Sequence, residues 1–160
     1  MKIAGQLAYQ IFASTFPLAR VYMADSIYYA PRLDIYKEAH KDNLQWLGRE
    51  LGIHEWHQEL FDCDKFALMF RARMVGMNMV TQLKNPQIDI APLPIATIYY
   101  HIGARRGMGH AINAGIYYDE NDNFQVCCIE PQPTPSEKHQ TGGIVNLTSE
   151  EKDSCWYVSF

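Results

Sequence analysis

The chain has 160 residues, 48% of them hydrophobic and 20% charged, with a net charge of −4. That length and polarity fit a single domain, 1–160, burying about two thirds of its unfolded surface, which excludes global disorder and removes any need for stapling by disulfides. The acidic balance offers no general attraction for nucleic acid or anionic lipid, and no run approaches the roughly 20 apolar residues of a membrane span, so neither is an expected partner.

Four cysteines, at 63, 127, 128 and 155, form no C-x-x-C pair, so neither a zinc knuckle nor a thioredoxin-type site is indicated. In a strand, Cys127 and Cys128 point to opposite faces and cannot bridge one another. Residues 1–19 are mildly apolar, but Gln6 and Gln10 interrupt them and no A-x-A site follows. A signal peptide is therefore not expected, and the default expectation is a soluble, cytoplasmic protein.

Within 1–20, Ile3, Leu7, Ile11 and Phe12 fall at helical spacing and Pro17 closes the pattern, which predicts a first helix or an extended arm. Residues 21–29 are β-branched and aromatic and read as a strand bounded by Pro31. A surface helix is predicted over 34–51, with Ile35, Ala39, Leu44, Leu47 and Leu51 as its apolar stripe and Gly52 as its stop. A short segment, 53–60, then leads to a second helix that opens at Cys63 and runs to about Thr81, with Phe66, Met69, Phe70, Met74 and Met77 on its buried face. Asp62 or Asp64 is placed to cap its first turn.

Asn85-Pro86 breaks the chain, Pro92 and Pro94 keep it extended, and 95–102 reads as a strand. Gly103, Gly107 and Gly109 mark a tight connection with Arg105 and Arg106 exposed. Two strands follow, 110–118 and 124–130, separated by the turn-forming run Asp119-Glu120-Asn121-Asp122-Asn123. His110, Ile112, Ala114 and Ile116 share a face of the first; Phe124, Val126, Cys128 and Glu130 share a face of the second. Folding these faces together pairs Ile116 with Phe124, Ile112 with Cys128, and His110 with Glu130, with the register open by one step. Residues 131–143 read as loop, 144–147 as a short strand, and 149–154 as a charged connection. Trp156, Val158 and Phe160 alternate to the end, as a strand packed into the sheet would.

A thiol at a helix start, a histidine on a strand and a carboxylate beside it are the parts of a cysteine-nucleophile triad. Amide groups and the positive dipole end at the helix start favour a thiolate at Cys63, but Asp62 and Asp64 oppose it, so a histidinium from His110 must supply most of the activation. Glu130 would orient the imidazole, the Cys63 N–H would be one oxyanion donor, and Gln58 is the candidate for a second. Asn113 faces away from His110 in a regular strand and reads as structural. Rival motifs fail on spacing. His54-Glu55-Trp56-His57 has its histidines three apart where a zincin needs four, and Ile112 stands where a deaminase needs glutamate.

Asp62-Cys63-Asp64-Lys65-Phe66-Ala67, Gly109-His110-Ala111-Ile112-Asn113, Ile129-Glu130-Pro131-Gln132 and Trp156-Tyr157-Val158 resemble the carboxy-terminal domain of the Marasmius oreades agglutinin family. The resemblance covers about 55–160. It implies a papain-like α+β fold, peptidase activity, and Cys63, His110 and Glu130 as nucleophile, base and orienting acid. It also raises calcium as a possible activator, for which Asp62, Asp64 and the acidic turn 119–122 offer oxygen ligands. The 160 residues hold no room for the family's β-trefoil lectin module, so carbohydrate binding is not expected to carry over from the resemblance. The interval from Cys63 to His110 is far shorter than the roughly 130–150 residues of papain enzymes. The expected function is hydrolysis of a peptide through a thioacyl-enzyme. The alternatives are an amidase acting on cell-wall or other non-protein amides, and a non-catalytic binding or virion structural protein of the same fold.

Overall fold

The computed structural model describes residues 1–54, 62–85, 91–104, 109–133 and 143–160. Its elements are β1 (Lys2–Ala4), α1 (Gly5–Thr15), β2 (Arg20–Tyr22), β3 (Ile27–Tyr29), α2 (Leu33–Leu51), α3 (Cys63–Lys84), β4 (Ile95–His101), β5 (Gly109–Tyr118), β6 (Phe124–Ile129), β7 (Ile144–Val145), α4 (Ser149–Asp153) and β8 (Tyr157–Ser159). Six strands form one sheet in the order β2-β8-β4-β5-β6-β7, and β1 pairs with β3 in a separate ribbon. Among the described strands only the β2–β8 pair is parallel. This is an α+β fold, and no helix among the described residues is long and apolar enough to cross a membrane.

The strands' two-residue period sorts the core into two layers. On one face Phe12 and Phe16 from the α1 side pack with Ile98, Ile112, Ala114, Ile116, Cys128 and Val158. On the other, Tyr36 of α2 and Phe70 and Met74 of α3 pack with Ile95, Cys127 and Ile129. Cys127 and Cys128 thus enter opposite cores, as neighbours on a strand must. All four cysteines are free thiols.

The first helix forms over 5–15 and stops before Pro17. The single strand expected over 21–29 is instead two strands in different sheets. Between them the chain turns at Ala24-Asp25-Ser26, where the Asp25 N–H donates to the Tyr28 hydroxyl at 3.1 Å. Only glycine fits at position 5 beside this turn, because a Cβ there would lie 2.3 Å from the Asp25 carbonyl oxygen.

Helix α2 has the expected span and ends at Gly52 in the left-handed region, φ 66°. Its buried face differs from the expected stripe: Tyr36, His40, Asn43 and Leu47 face in, while Ile35 and Leu51 are 44% and 46% exposed. Glycines on the sheet side make the room. A Cβ on Gly115 would sit 2.5 Å from the Tyr36 ring, whose hydroxyl donates to the Ile116 carbonyl at 3.1 Å, and a Cβ on Gly143 would collide with the His40 ring. Helix α3 continues to Lys84 and buries Phe66, Ala67, Phe70, Met74 and Gln82, leaving Met77 exposed. The charged connection over 149–154 contains a helix. Thr148 and Glu151 cap it reciprocally, a T-x-x-E signature present in the sequence.

The β5–β6 hairpin keeps the expected face but shifts by two residues, pairing Ile116 with Val126 and Ala114 with Cys128. The loop is the reason. The Asp119 N–H donates to the Asn123 carbonyl, the Asp119 carboxylate accepts from the N–H groups of Asn121 and Asn123, and Asp122 turns at φ 60°. This closes the hairpin at Tyr118–Phe124. His110 and Glu130 therefore meet on a diagonal rather than directly across, a separation long side chains can span.

Candidate active site

Cys63 is the first residue of α3. Asp62 before it has the extended backbone of an N-cap (φ −94°, ψ −177°), but its carboxylate makes no capping bond. Instead it accepts from Lys65 Nζ at 2.8 Å, with Asp64 at 3.8 Å from the same ammonium. The interaction between these two neighbouring carboxyl groups lowers the Asp62 pKa and raises that of Asp64. Lys65 thus offsets the negative charge that the sequence places on both sides of Cys63. The D-C-D-K spacing carried this signal, since residues three apart on a helix are neighbours.

His110 is the second residue of β5, and its side chain is 14% exposed. Its Nε2 lies 2.6 Å from Glu130 Oε2, and the Glu130 side chain is 5% exposed. Glu130 follows the last residue of β6 and is held twice more: Oε1 accepts from the Gln132 N–H at 3.1 Å, and its own N–H donates to the Gly143 carbonyl at 2.8 Å. Burial alone would lower the His110 pKa. Hydrogen bonding with the Cys63 side chain and with Glu130, reinforced by their charges, overrides it and raises the pKa to about 9. With Nε2 committed to Glu130, Nδ1 is the ring nitrogen left for Cys63. The helix start, the strand end and the hairpin's far strand thus converge on one imidazole.

Two neighbours hold this arrangement. The Tyr100 ring packs edge-on to His110 with centroids 5.7 Å apart, and burial first, then the charge of Glu130, push its phenol well above the ordinary range, so it stays neutral. Asn113, fully buried, donates to the carbonyls of Ala67 on α3 at 3.0 Å and Ala96 on β4 at 3.2 Å. It ties the Cys63 helix to the sheet and does not join the His110 network. Neither partner of Asn113 was legible in sequence, because both bonds link segments distant along the chain.

Gln58 lies outside the described residues, as do Glu55, Trp56 and His57 of the zincin-like run and the Arg105-Arg106 pair. Among the described residues, no group of three or more His, Cys, Asp or Glu side chains could hold a metal ion. The acids considered for calcium are engaged otherwise: Asp62 with Lys65, and Asp119 with its own turn.

Beside the pair lies a group of rings that the sequence did not single out. The His101 and Trp156 rings lie 4.6 Å apart at a tilt, Tyr99 stands 6.2 Å from Trp156 and 5.8 Å from Tyr157, and Tyr22 lies 5.4 Å from Tyr157.

No protein-family model matches the chain, and no curated protein does. Solved structures do. A structure described as a PSL1a–E64 complex superposes with a TM-score of 0.67 at 19% identity, over 99% of this chain and 51% of that one. Polyporus squamosus lectin bound to a human-type influenza-binding epitope, Neu5Aca2-6Galb1-4GlcNAc, gives a TM-score of 0.67 at 18% identity, over 99% of this chain and 49% of that one. The chain spans about half the length of these structures, and at such identity the likeness is one of fold.

Proposed function

We propose that this chain hydrolyses peptide or related amide bonds by thiol chemistry. The observation that carries this reading is one imidazole held by a buried carboxylate at 2.6 Å, with the cysteine at a helix start near enough that its side chain helps raise the imidazole's pKa. In this reading Cys63 attacks the carbonyl carbon as thiolate, and the Cys63 N–H at the start of α3 receives the developing oxyanion. The His110 imidazolium gives its proton to the leaving amine, whose departure leaves a thioester on Cys63. Neutral His110 then takes a proton from water as the resulting hydroxide attacks the thioester; the C–S bond breaks, the acid product leaves, and the Cys63 thiolate with the His110 imidazolium is regenerated. Glu130 holds the tautomer and stabilises the cation throughout. Calcium enters no step.

The resemblance to the Marasmius oreades agglutinin family belongs to the same proposal and agrees with it in residue type and order. The test is digestion of a denatured-proteome peptide pool by wild type and Cys63→Ala, with new amino termini read by mass spectrometry. New termini from wild type alone support the reading; identical pools from both proteins sink it.

A second reading, binding without hydrolysis, is favoured by one observation: a matched structure is described as a lectin holding a sialylated trisaccharide. It requires saturable binding of that glycan to this chain by calorimetry, with no new termini.

A further inference from the structure

We propose that the rings of Tyr99, His101 and Trp156 form a substrate subsite beside Cys63 and His110 that takes an aromatic or large apolar side chain of a peptide next to the cleaved bond, an inference resting on the thiol-hydrolase reading. Strand pairing fixes the position. His101 lies opposite Gly109 and Tyr99 opposite Ala111, so by strand alternation these two side chains leave the sheet on the face where Asn113 bonds α3, the reverse of the face of Tyr100 and His110, one residue along the strand from the base. The indole lies against the backbone that leads into His110, since a Cβ on Gly109 would be 3.3 Å from Trp156 Cη2. On the other flank, Tyr99 is close enough to the start of α3 that the charges of Asp64 and Cys63, after burial, add to the rise in its phenol pKa.

The wall is open to a ligand. Trp156 is 41% exposed, so part of its indole can be reached from solvent. Its rings do not lie flat. Trp156 is tilted 38° to His101 and 41° to Tyr99, and Tyr99 is inclined 63° to Tyr157. In this proposal the inclined rings bound a trough in which an inserted side chain meets one ring face-on and another by its edge, the two arrangements aromatic groups prefer. A sugar is better served by a flat platform. The trough therefore favours a Phe, Tyr or Leu side chain, and the energy of seating it would fix the neighbouring carbonyl at Cys63.

The test uses internally quenched peptides that differ only at one position flanking the scissile bond, carrying Phe, Leu, Gly or Asp. At one such position Phe and Leu should exceed Gly and Asp by about tenfold in kcat/KM, the scale of a good aromatic contact. Trp156→Ala should collapse that ratio to within about threefold, and Trp156→Phe should retain most of it. Equal turnover of all four peptides, or an undiminished ratio in Trp156→Ala, overturns the subsite. Alkylation of wild-type Cys63 by iodoacetamide separates the two claims: fast alkylation without side-chain preference removes the subsite alone, whereas ordinary alkylation with no hydrolysis removes the thiol-hydrolase reading and the subsite with it.

Discussion

Cysteine occurs in two kinds of place in this molecule. Cys128 and Cys155 sit in the core where burial pushes their thiols up to about 12 and about 11, and Cys127, in the opposite core, is pushed up further by the same cause. Cys63 is partly exposed at the start of a 22-residue helix, in contact with an imidazole whose own partner is a buried carboxylate. The residue type is the same, and its surroundings separate an inert hydrophobe from a candidate nucleophile.

The largest expected effect breaks that contrast outright. Cys63→Ala should lower kcat/KM for amide hydrolysis by about a thousandfold or more. Cys155→Ala, which removes a core sulfur, should lower stability and leave the measured kcat of the folded fraction alone; comparison of active-site-titrated rates checks both.

Next comes Glu130→Gln. Loss of the carboxylate should bring the His110 pKa down from about 9 toward the ordinary 6.5 and reduce turnover by roughly a hundredfold. NMR titration of the His110 ring gives the first and kinetics the second. A linked stability effect has a definite sign. Because the folded-state pKa of His110 is raised, its stabilisation is complete below about pH 6.5 and is lost as pH rises through about 9. Urea unfolding should therefore show wild type losing about 1–3 kcal/mol between pH 6 and pH 9.5 relative to Glu130→Gln.

Gly115→Ala sharpens the comparison from the packing side. Its Cβ would meet the rigid Tyr36 ring at 2.5 Å, so the expected cost is about 1–3 kcal/mol in denaturant unfolding. The effect on Cys63 alkylation in the folded protein should be slight. Smallest is Lys65→Ala. Removing the ammonium beside Asp62 and Asp64 should slow Cys63 alkylation by much less than His110→Ala does, measured in parallel at low salt.

Much of this arrangement was legible in residue spacing. The period of three and four after Cys63 located α3, and the period of two in 110–118 and 124–130 placed His110 and Glu130 on one face. The hairpin register escaped because it depends on how Asp119 closes its own turn, a hydrogen-bond choice within the loop. The buried face of α2 escaped for another reason. Polar His40 and Asn43 face inward, beside rings that settle over Gly115 and Gly143, and no one-dimensional pattern records that fit. The group of ring contacts among Tyr22, Tyr99, Trp156 and Tyr157 is likewise tertiary, assembled from β2, β4 and the segment around β8.

The central claim is that His110 sets Cys63 apart from the other three thiols. Residue-resolved iodoacetamide labelling of the native protein from pH 5.5 to 8.5 tests it most directly. Cys63 should label first, at a rate that persists below pH 7 and drops in His110→Ala, while Cys127, Cys128 and Cys155 stay unlabelled until the protein unfolds. A Cys63 rate that rises with an ordinary thiol midpoint near 8.5 and ignores His110→Ala would contradict the account.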